Sequence, residues 1–236
     1  MSLPALSIVG VGPGDPELVT LKAARLIGAA EVILAPLGDR SDASIAESII
    51  AGLVDSNRQQ VIRQVYPMSK NPAEMENFWR DAARQAATLV RAGKRVVFIT
   101  LGDPLLYSTA LYLVRVLRDE APEIAVDFVS GVSSINAAAA RAGLPLALAD
   151  ERLAILPATF EGDKLRRALE DFDTVVLMKV HRVFDKICAL LQEMDLLRQS
   201  VYLKRVGLAE ERLFTDLTRV TAEDLDYLSL VIVRKS

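Results

Sequence analysis

Three short turns, each placed after an apolar segment, carry the residue types that close around a small ligand. They are Gly10-Val11-Gly12-Pro13-Gly14-Asp15, Leu101-Gly102-Asp103-Pro104 and Gly131-Val132-Ser133-Ser134. Glycines let a ligand approach the backbone closely, and carboxylates, hydroxyls and backbone groups then supply hydrogen bonds. Turns that follow strands of an α/β sheet are where such proteins bind ligands. The second turn in particular predicts a ligand site.

Each turn also fits a purely structural role. Asp103 is a suitable cap for a helix whose first turn holds Pro104. Ser133 and Ser134 are ordinary caps for the alanine-rich segment that follows them. Because a capping carboxylate can also accept hydrogen bonds from a ligand, the residues alone leave both roles open.

The first turn shares part of the dinucleotide-binding fingerprint. Gly10 and Gly12 have its first spacing, but its third glycine would fall at Asp15. Two prolines make the loop rigid, and no acidic residue ends the next predicted strand, over residues 31–35, in the manner that binds a ribose. A Walker sequence is also absent from the chain. We therefore do not expect a dinucleotide site.

Composition excludes several function classes. The chain has 236 residues, is 51% hydrophobic and carries a net charge of -3 with scattered basic residues, so nucleic acid is not an expected partner. No apolar stretch reaches the roughly 20 residues that span a bilayer, and the N-terminal segment has a strand pattern in place of a signal peptide. Cys188 and His181 are each alone, which fits a cytoplasmic protein and argues against a Cys/His zinc site or a Ser-His-Asp triad.

Strand and helix patterns alternate along the chain and would position these turns. A strand over residues 5–11 precedes the first turn, and one over 96–100 precedes the second. The pattern breaks at residues 120–123, after which a strand opens the second half, and the C-terminal part is strand-rich. We therefore predict an α/β fold with two domains, over residues 1–120 and 121–236, the second with a mixed sheet.

Taken in order and spacing, the three turns resemble the tetrapyrrole (corrin/porphyrin) methylase family. Its members carry a first-strand GxGPGD loop, a GDP turn near residue 100 and a PGxSS turn that opens the second domain. The resemblance covers essentially the whole chain. The chain departs from the family pattern at Ser130, where Pro is usual, and at Leu101, where the family frequently has Gly.

This resemblance implies two α/β domains with the active site in the cleft between them. There they would enclose S-adenosylmethionine in a folded conformation, beside a tetrapyrrole substrate. It also implies a homodimer, S-adenosylhomocysteine as the second product, and no catalytic metal. The cofactor contacts that it implies are Pro13, Leu101, Gly102, Asp103, Leu106, Ser133, Ser134, Met178 (or Lys179 in its place), and the backbone near Tyr202 and Leu203.

The implied chemistry is methyl transfer to an electron-rich ring carbon, which needs alignment of the reactants more than activation. The ring must then lose a proton to a base or to water. Asp103, Tyr107 and Lys179 are the candidates for this base. Lys179 fits two other roles equally well, pairing with a substrate carboxylate or extending from a strand edge into solvent.

Within the family, the segments Tyr66–Met68, Phe98–Thr109 and Leu177–Val180 most resemble members that methylate the meso carbon at position 20 of precorrin-2 or cobalt-factor II in cobalamin biosynthesis. The nearest alternative is another tetrapyrrole step, on uroporphyrinogen III or a later precorrin. Protein methylation of the diphthine synthase type is less similar. A module that binds a nucleotide without chemistry is the alternative from another class. The residues leave open whether the substrate carries cobalt.

Overall fold

The structure, a computed structural model, describes residues 5–38, 43–67, 71–158 and 162–235. The chain divides into two compact units between Ser133 and Ser134. Each unit contains one five-stranded sheet with helices, which confirms the predicted α/β class. The elements of the first unit are β1 (Ala5–Gly10), α1 (Leu21–Ala29), β2 (Val32–Gly38), α2 (Ile45–Ile49), β3 (Gln60–Tyr66), α3 (Pro72–Arg91), β4 (Val96–Thr100), α4 (Ala110–Glu120) and β5 (Ala125–Val129).

The first sheet is parallel throughout and has the strand order β3-β2-β4-β1-β5. Strand β4 is buried at every position, as expected for a central strand covered on both faces. Strand β1 lies between β4 and β5, so the carboxyl ends of these three strands lie side by side. The three turns of the sequence analysis follow these three ends.

Alternating strand side chains build a hydrophobic core on each face of this sheet. Leu6, Ile8 and Phe98 pack with α3 and α4 on one face. Val9 and Ile99 pack with α1 and α2 on the other face. The chain therefore leaves the neighbouring strands β1 and β4 toward opposite faces. The carboxyl ends of β1 and β4 thus form a topological switch point, which is where open α/β sheets bind ligands.

Four aromatic side chains pack against one another around β3, α3 and α4. The ring of Trp79 lies 4.7 Å from that of Tyr66, 5.0 Å from that of Phe78 and 5.5 Å from that of Tyr112. Trp79 is only 3% exposed, which places it in the core. Burial raises the pKa of the Tyr66 hydroxyl.

The second unit has a mixed sheet with the strand order β6-β7-β10-β8-β9. Strands β6 and β7 are parallel, and the other neighbours are antiparallel. Leu177, Tyr202 and Val231 of this sheet share a core with α6 and α7. The elements of this unit are α5 (Ser134–Ala142), β6 (Leu153–Pro157), α6 (Gly162–Asp171), β7 (Thr174–Met178), α7 (Phe184–Glu193), β8 (Ser200–Lys204), β9 (Arg212–Phe214) and β10 (Ser229–Arg234).

Strand β5 departs from its predicted place. The sequence pattern assigned it to the second half, whereas the structure pairs it with β1 in the first sheet. The break at residues 120–123 is the turn between α4 and β5, and a local pattern does not specify which sheet the next strand joins. The two compact units therefore divide at residues 133/134, later than the predicted boundary at 120/121.

Two helix starts also differ from the sequence pattern. Helix α4 begins at Ala110, so Asp103 and Pro104 do not open it, and the predicted cap at Asp103 is wrong. The apolar spacing over residues 42–54 predicts a helix with its cap at residue 41 or 42, both of which lie outside the described residues, whereas α2 begins at Ile45 after the cap Ser44. Within the described ranges, no helix is long and apolar enough to cross a membrane.

Candidate active site

The first and second turns are joined by backbone hydrogen bonds at the switch point. The N–H of Gly102 donates to the carbonyl of Gly12 at 2.8 Å, and the N–H of Gly12 donates to the carbonyl of Gly102 at 3.4 Å. One residue earlier, the N–H of Val11 donates to the carbonyl of Thr100 at 3.0 Å. The two turns therefore form one hydrogen-bonded layer above the sheet.

Gly10 and Gly131 are required because the three turns touch through their backbones. A Cβ on Gly10 would lie 2.5 Å from the carbonyl oxygen of Gly102 and 2.7 Å from the nitrogen of Gly131. A Cβ on Gly131 would lie 2.2 Å from the same carbonyl oxygen, whereas real Cβ atoms essentially never approach within 3.0 Å. Only glycine allows this close crossing of the backbone.

Gly102 has a different reason to be glycine. Its φ is 69°, in the left-handed region, and a Cβ built on it would meet no heavy atom of the described chain within 4 Å. Its residue surface is nevertheless buried from solvent. Gly102 therefore presents bare backbone to an unfilled space at the switch point, which is the arrangement that a closely packed ligand requires.

Asp103 ties the second turn to the third. Its Oδ1 accepts the N–H of Leu105 at 2.9 Å, and its Oδ2 accepts the N–H of Gly131 at 3.1 Å. A carboxylate has about four acceptor positions, so this half-buried group can still accept hydrogen bonds from a ligand. Asp103 thus holds the turns together and retains acceptor capacity toward a ligand.

Two hydroxyls that the sequence analysis missed brace the second turn from below. Thr100 Oγ1 and Ser108 Oγ lie 2.9 Å apart in the interior, and Ser108 Oγ accepts the N–H of Ala110 at 3.2 Å. This pair closes the segment between β4 and the first turn of α4. The available signal was a pair of hydroxyl residues on either side of the Gly102-Asp103-Pro104 sequence.

The remaining predicted residues of the first unit lie in or beside the three turns. Pro13 is buried in the first turn, and Leu101 packs its side chain against the core under α1 and α2. Leu106 is half-buried, whereas Tyr107 has a φ of 52° and is 43% exposed. Ser133, half-buried, is the last residue of the first unit. Seven predicted residues of the first unit therefore lie in the three turns or directly after them: Pro13, Leu101, Gly102, Asp103, Leu106, Tyr107 and Ser133.

Ser134, which opens α5, and Met178, which ends β7, are half-buried residues of the second unit. Lys179 follows Met178 in the left-handed region with a φ of 61°, and its N–H donates to the carbonyl of Ser229 at 3.1 Å. The Nζ of Lys179 lies 5.9 Å from the ring centroid of Tyr227. Tyr227 could not be found from the sequence as a partner of Lys179, because the two residues lie far apart along the chain.

Tyr202 and Leu203 lie in a central strand of the second sheet. Both side chains are fully buried, and the hydroxyl of Tyr202 donates to the carbonyl of Asp224 at 2.7 Å. Both residues are paired with β10 on one side and with β9 on the other. Both residues therefore have a role in the sheet, and a cofactor contact through the backbone near them stays a prediction.

Within the described ranges, no group of three or more His, Cys, Asp or Glu side chains is placed to hold a metal ion. The predicted site residues of the first unit offer backbone groups, one carboxylate, two hydroxyls and the apolar side chains of proline and leucine. Such groups suit an organic ligand with hydrogen-bonding and cationic parts.

Comparison with known proteins gives the family. The model of the Tetrapyrrole (Corrin/Porphyrin) Methylases matches residues 5–221 of the chain. The chain belongs to the tetrapyrrole methylase family. Among curated proteins, the chain is 36% identical over 231 residues to the cobalt-precorrin-2 C(20)-methyltransferase of Salmonella typhimurium, covering 98% of this chain and 96% of that protein. It is 31% identical over 233 residues to the precorrin-2 C(20)-methyltransferase of a Sinorhizobium species, covering 95% of this chain and 93% of that protein.

Solved structures agree on the fold of this tetrapyrrole methylase. A cobalt precorrin-4 methyltransferase structure has a TM-score of 0.74 at 21% identity, covering 98% of this chain and 94% of that one. A uroporphyrin-III C-methyltransferase from Thermus thermophilus, solved with S-adenosylhomocysteine, has a TM-score of 0.63 at 24% identity, covering 98% of this chain and 97% of that one. At these identities the likeness concerns the fold alone.

Proposed function

We propose that this tetrapyrrole methylase transfers the methyl group of S-adenosylmethionine to the meso carbon at position 20 of precorrin-2 or cobalt-factor II, in cobalamin biosynthesis. The observation that carries the proposal is the match, over nearly the whole of both chains, to relatives named for methylation at C(20). The segments Tyr66–Met68, Phe98–Thr109 and Leu177–Val180, which resemble the members that methylate position 20, also support the proposal. Of these segments, only Met68 lies outside the described residues.

The switch point of the first unit fits S-adenosylmethionine. When bound, this cofactor supplies a methyl group on a positively charged sulfur. The unfilled space at Gly102 accommodates a ligand against the backbone, and Asp103 offers a carboxylate to its amino or hydroxyl groups. Further cofactor contacts are proposed at a set of residues from both units: Pro13, Leu101, Leu106, Ser133, Ser134, Met178 (or Lys179 in its place), and the backbone near Tyr202 and Leu203.

The chain's own contribution to catalysis is positioning. The backbone layer formed by Gly12 and Gly102, tied to the third turn through Asp103, holds the ligand-facing groups without mobile side chains. Such preorganisation places a donor methyl and an acceptor carbon in line, which supplies much of the rate enhancement for a nucleophilic carbon. Asp103, Tyr107 and Lys179 are proposed as acceptors of the ring proton that is released afterwards.

We also propose that the enzyme is a cytoplasmic homodimer. Helix α4 and the turn before it expose three large side chains, which a second copy would cover: Leu105, Leu111 and Tyr112. Light scattering on the full chain should give about twice the 25.8 kDa mass of one copy. Leu111→Glu should shift the mass to one copy, whereas Leu21→Glu, on α1, should not. A single-copy mass for the unmodified chain would contradict the dimer.

The reaction is tested by methyl transfer from S-adenosylmethionine to precorrin-2 and to cobalt-factor II in separate assays. Product mass counts the methyl groups, and NMR assigns the carbon that carries them. Methylation of another carbon would leave the family assignment unchanged but would assign the enzyme to a different methylation reaction. Cofactor binding without transfer to either acceptor would overturn the proposed substrate.

A further inference from the structure

In the second unit, an ammonium, an imidazole and a phenol ring lie close together. The ring of Tyr227 is 58% exposed and lies in the turn before β10. The imidazole of His181 meets this ring edge-on, with the ring centroids 5.6 Å apart. The ammonium of Lys179 lies 5.9 Å from the centroid of the same ring. We call these three residues the Tyr227 cluster.

The turn that carries Tyr227 is rigidly held. Two basic residues with left-handed backbones bracket it: the N–H of Lys179 donates to the carbonyl of Ser229 at 3.1 Å, and the N–H of Arg205 donates to the carbonyl of Leu228 at 2.7 Å. Asp226 accepts the N–H of Leu228 at 2.7 Å and the Nε of Arg205 at 2.8 Å. Non-glycine residues with positive φ are strained and concentrate at functional sites.

Asp226, the acidic residue of this turn, is hydrogen-bonded to Arg205 and to Leu228. Burial favours its neutral form, but the hydrogen bonds from Arg205 and Leu228 outweigh that effect and lower the pKa of Asp226. Asp226 is therefore an ionised partner of Arg205 at neutral pH. The acidic group of this turn is already paired with Arg205, a residue outside the Tyr227 cluster.

His181 contains an orphaned polar atom. Its Nδ1 is buried and has no hydrogen-bond partner among the described residues. A buried polar atom without a hydrogen-bond partner is destabilising, so such atoms in native structures call for an explanation. An apolar aromatic residue would make the same edge-on contact with Tyr227 without this cost. The imidazole therefore carries a polar atom that its packing against Tyr227 does not use.

We propose that Lys179, His181 and Tyr227 form a subsite for one carboxylate-bearing arm of the substrate, an inference that rests on the proposed function. The ammonium of Lys179 and an imidazole N–H of His181 would each donate to the carboxylate, and such charge-assisted hydrogen bonds are the strong ones. The exposed ring of Tyr227 supplies a flat apolar wall for the methylene groups of the arm. In this subsite Lys179 acts through its ammonium, which is the alternative to its role as the proton acceptor and leaves that role to Asp103 or Tyr107. His181 and Tyr227 position the substrate and make or break no bond.

The test separates substrate binding from cofactor binding and from stability. His181→Phe keeps the aromatic contact with Tyr227 and removes both ring nitrogens. Lys179→Asn removes the ammonium with a residue that tolerates a positive φ. Lys186→Gln, at an exposed position of α7 outside the cluster, is the matched control for the loss of one lysine charge.

With cobalt-factor II as acceptor, His181→Phe and Lys179→Asn should each raise the KM for the tetrapyrrole about tenfold, the factor that corresponds to roughly 1.4 kcal/mol. The dissociation constant of S-adenosylhomocysteine, measured by calorimetry, should stay unchanged in His181→Phe. The melting temperature of His181→Phe should not fall, because an unpaired buried nitrogen has been removed. Lys186→Gln should match the unmodified enzyme in all three measurements.

An unchanged KM for cobalt-factor II in His181→Phe would overturn the subsite while leaving the proposed function intact. A loss of stability in His181→Phe would show that the imidazole serves the fold, which also overturns it. If the unmodified protein neither binds nor methylates cobalt-factor II or precorrin-2, the proposed function fails and the subsite fails with it. The unmodified protein thus tests the function, and the variants test the subsite.

Discussion

Glycine-to-alanine substitutions at the switch point should separate cofactor binding from stability. Gly131→Ala puts a methyl group 2.2 Å from the carbonyl oxygen of Gly102, which is backbone and must move. Gly102→Ala puts a methyl group where no described atom lies within 4 Å. Gly28→Ala, in α1, also meets nothing within 4 Å and needs no positive φ, so it serves as the control.

The expected magnitudes differ for each position. Forcing a group into a packed site costs about 1–3 kcal/mol and occasionally more, so Gly131→Ala should lose at least that much stability. Gly102→Ala should lower the free energy of unfolding by about 1–2 kcal/mol, because alanine is strained in the left-handed region. Gly28→Ala should gain about 0.4–1 kcal/mol, because alanine restricts the unfolded chain. The free energy of unfolding of a typical domain is only about 5–15 kcal/mol, so these differences are measurable.

Urea denaturation measures stability, and calorimetry with S-adenosylhomocysteine measures binding. We expect Gly102→Ala to remain folded and to weaken binding by at least about tenfold, a change of roughly 1.4 kcal/mol, because its methyl group occupies the space assigned to the cofactor. Gly28→Ala should bind as tightly as the unmodified chain.

Unchanged binding in Gly102→Ala would refute the assignment of that space to the cofactor. If Gly131→Ala were as stable as Gly28→Ala, the close backbone crossing of the three turns would be wrong. The two results are independent, since the first concerns what fills the space and the second concerns how the turns pack.

Three further predictions concern single side chains. Asp103→Ala should cost about 1–3 kcal/mol in urea denaturation and weaken S-adenosylhomocysteine binding, because a partly buried backbone N–H loses its acceptor; no change in either quantity would remove Asp103 from the site. Thr100→Val should cost about 0.5–1.5 kcal/mol in the same assay, because Ser108 loses a hydrogen-bond partner, and an unchanged midpoint would contradict the bracing role. Burial raises the pKa of the Cys188 thiol to about 11, so at pH 8 only roughly one thiol in a thousand is ionised, and iodoacetamide should label Cys188 far faster in urea than in the native protein. Rapid native labelling, read by mass spectrometry, would contradict this burial.

The meeting of the three turns at one edge could be anticipated from the sequence, because each turn follows a strand pattern and the carboxyl ends of parallel strands share one edge of a sheet. The hydrogen bond between Asp103 and Gly131 could not be anticipated, since the two residues are 28 positions apart. They meet because β4 and β5 pair with opposite sides of β1. Local pattern suggested a helix cap for Asp103, and tertiary structure gave it a different role.

The second unit departs further from sequence expectations for the same reason. The burial of Tyr202 between two paired strands and the contact of Lys179 with Tyr227 both depend on the position of β10, the last strand, between β7 and β8. Strand patterns predict that these strands exist, but the order in which they pair is set by the whole sheet. Residues that face one another across that sheet were therefore not predictable as partners.

The central claim is that this enzyme methylates one meso carbon of an early cobalamin precursor. The most direct measurement supplies S-adenosylmethionine with a ¹³C-labelled methyl group together with precorrin-2 or cobalt-factor II, and locates the label in the product by NMR. We expect one labelled methyl group, at position 20. A label at any other carbon, or no label in either product, would contradict it.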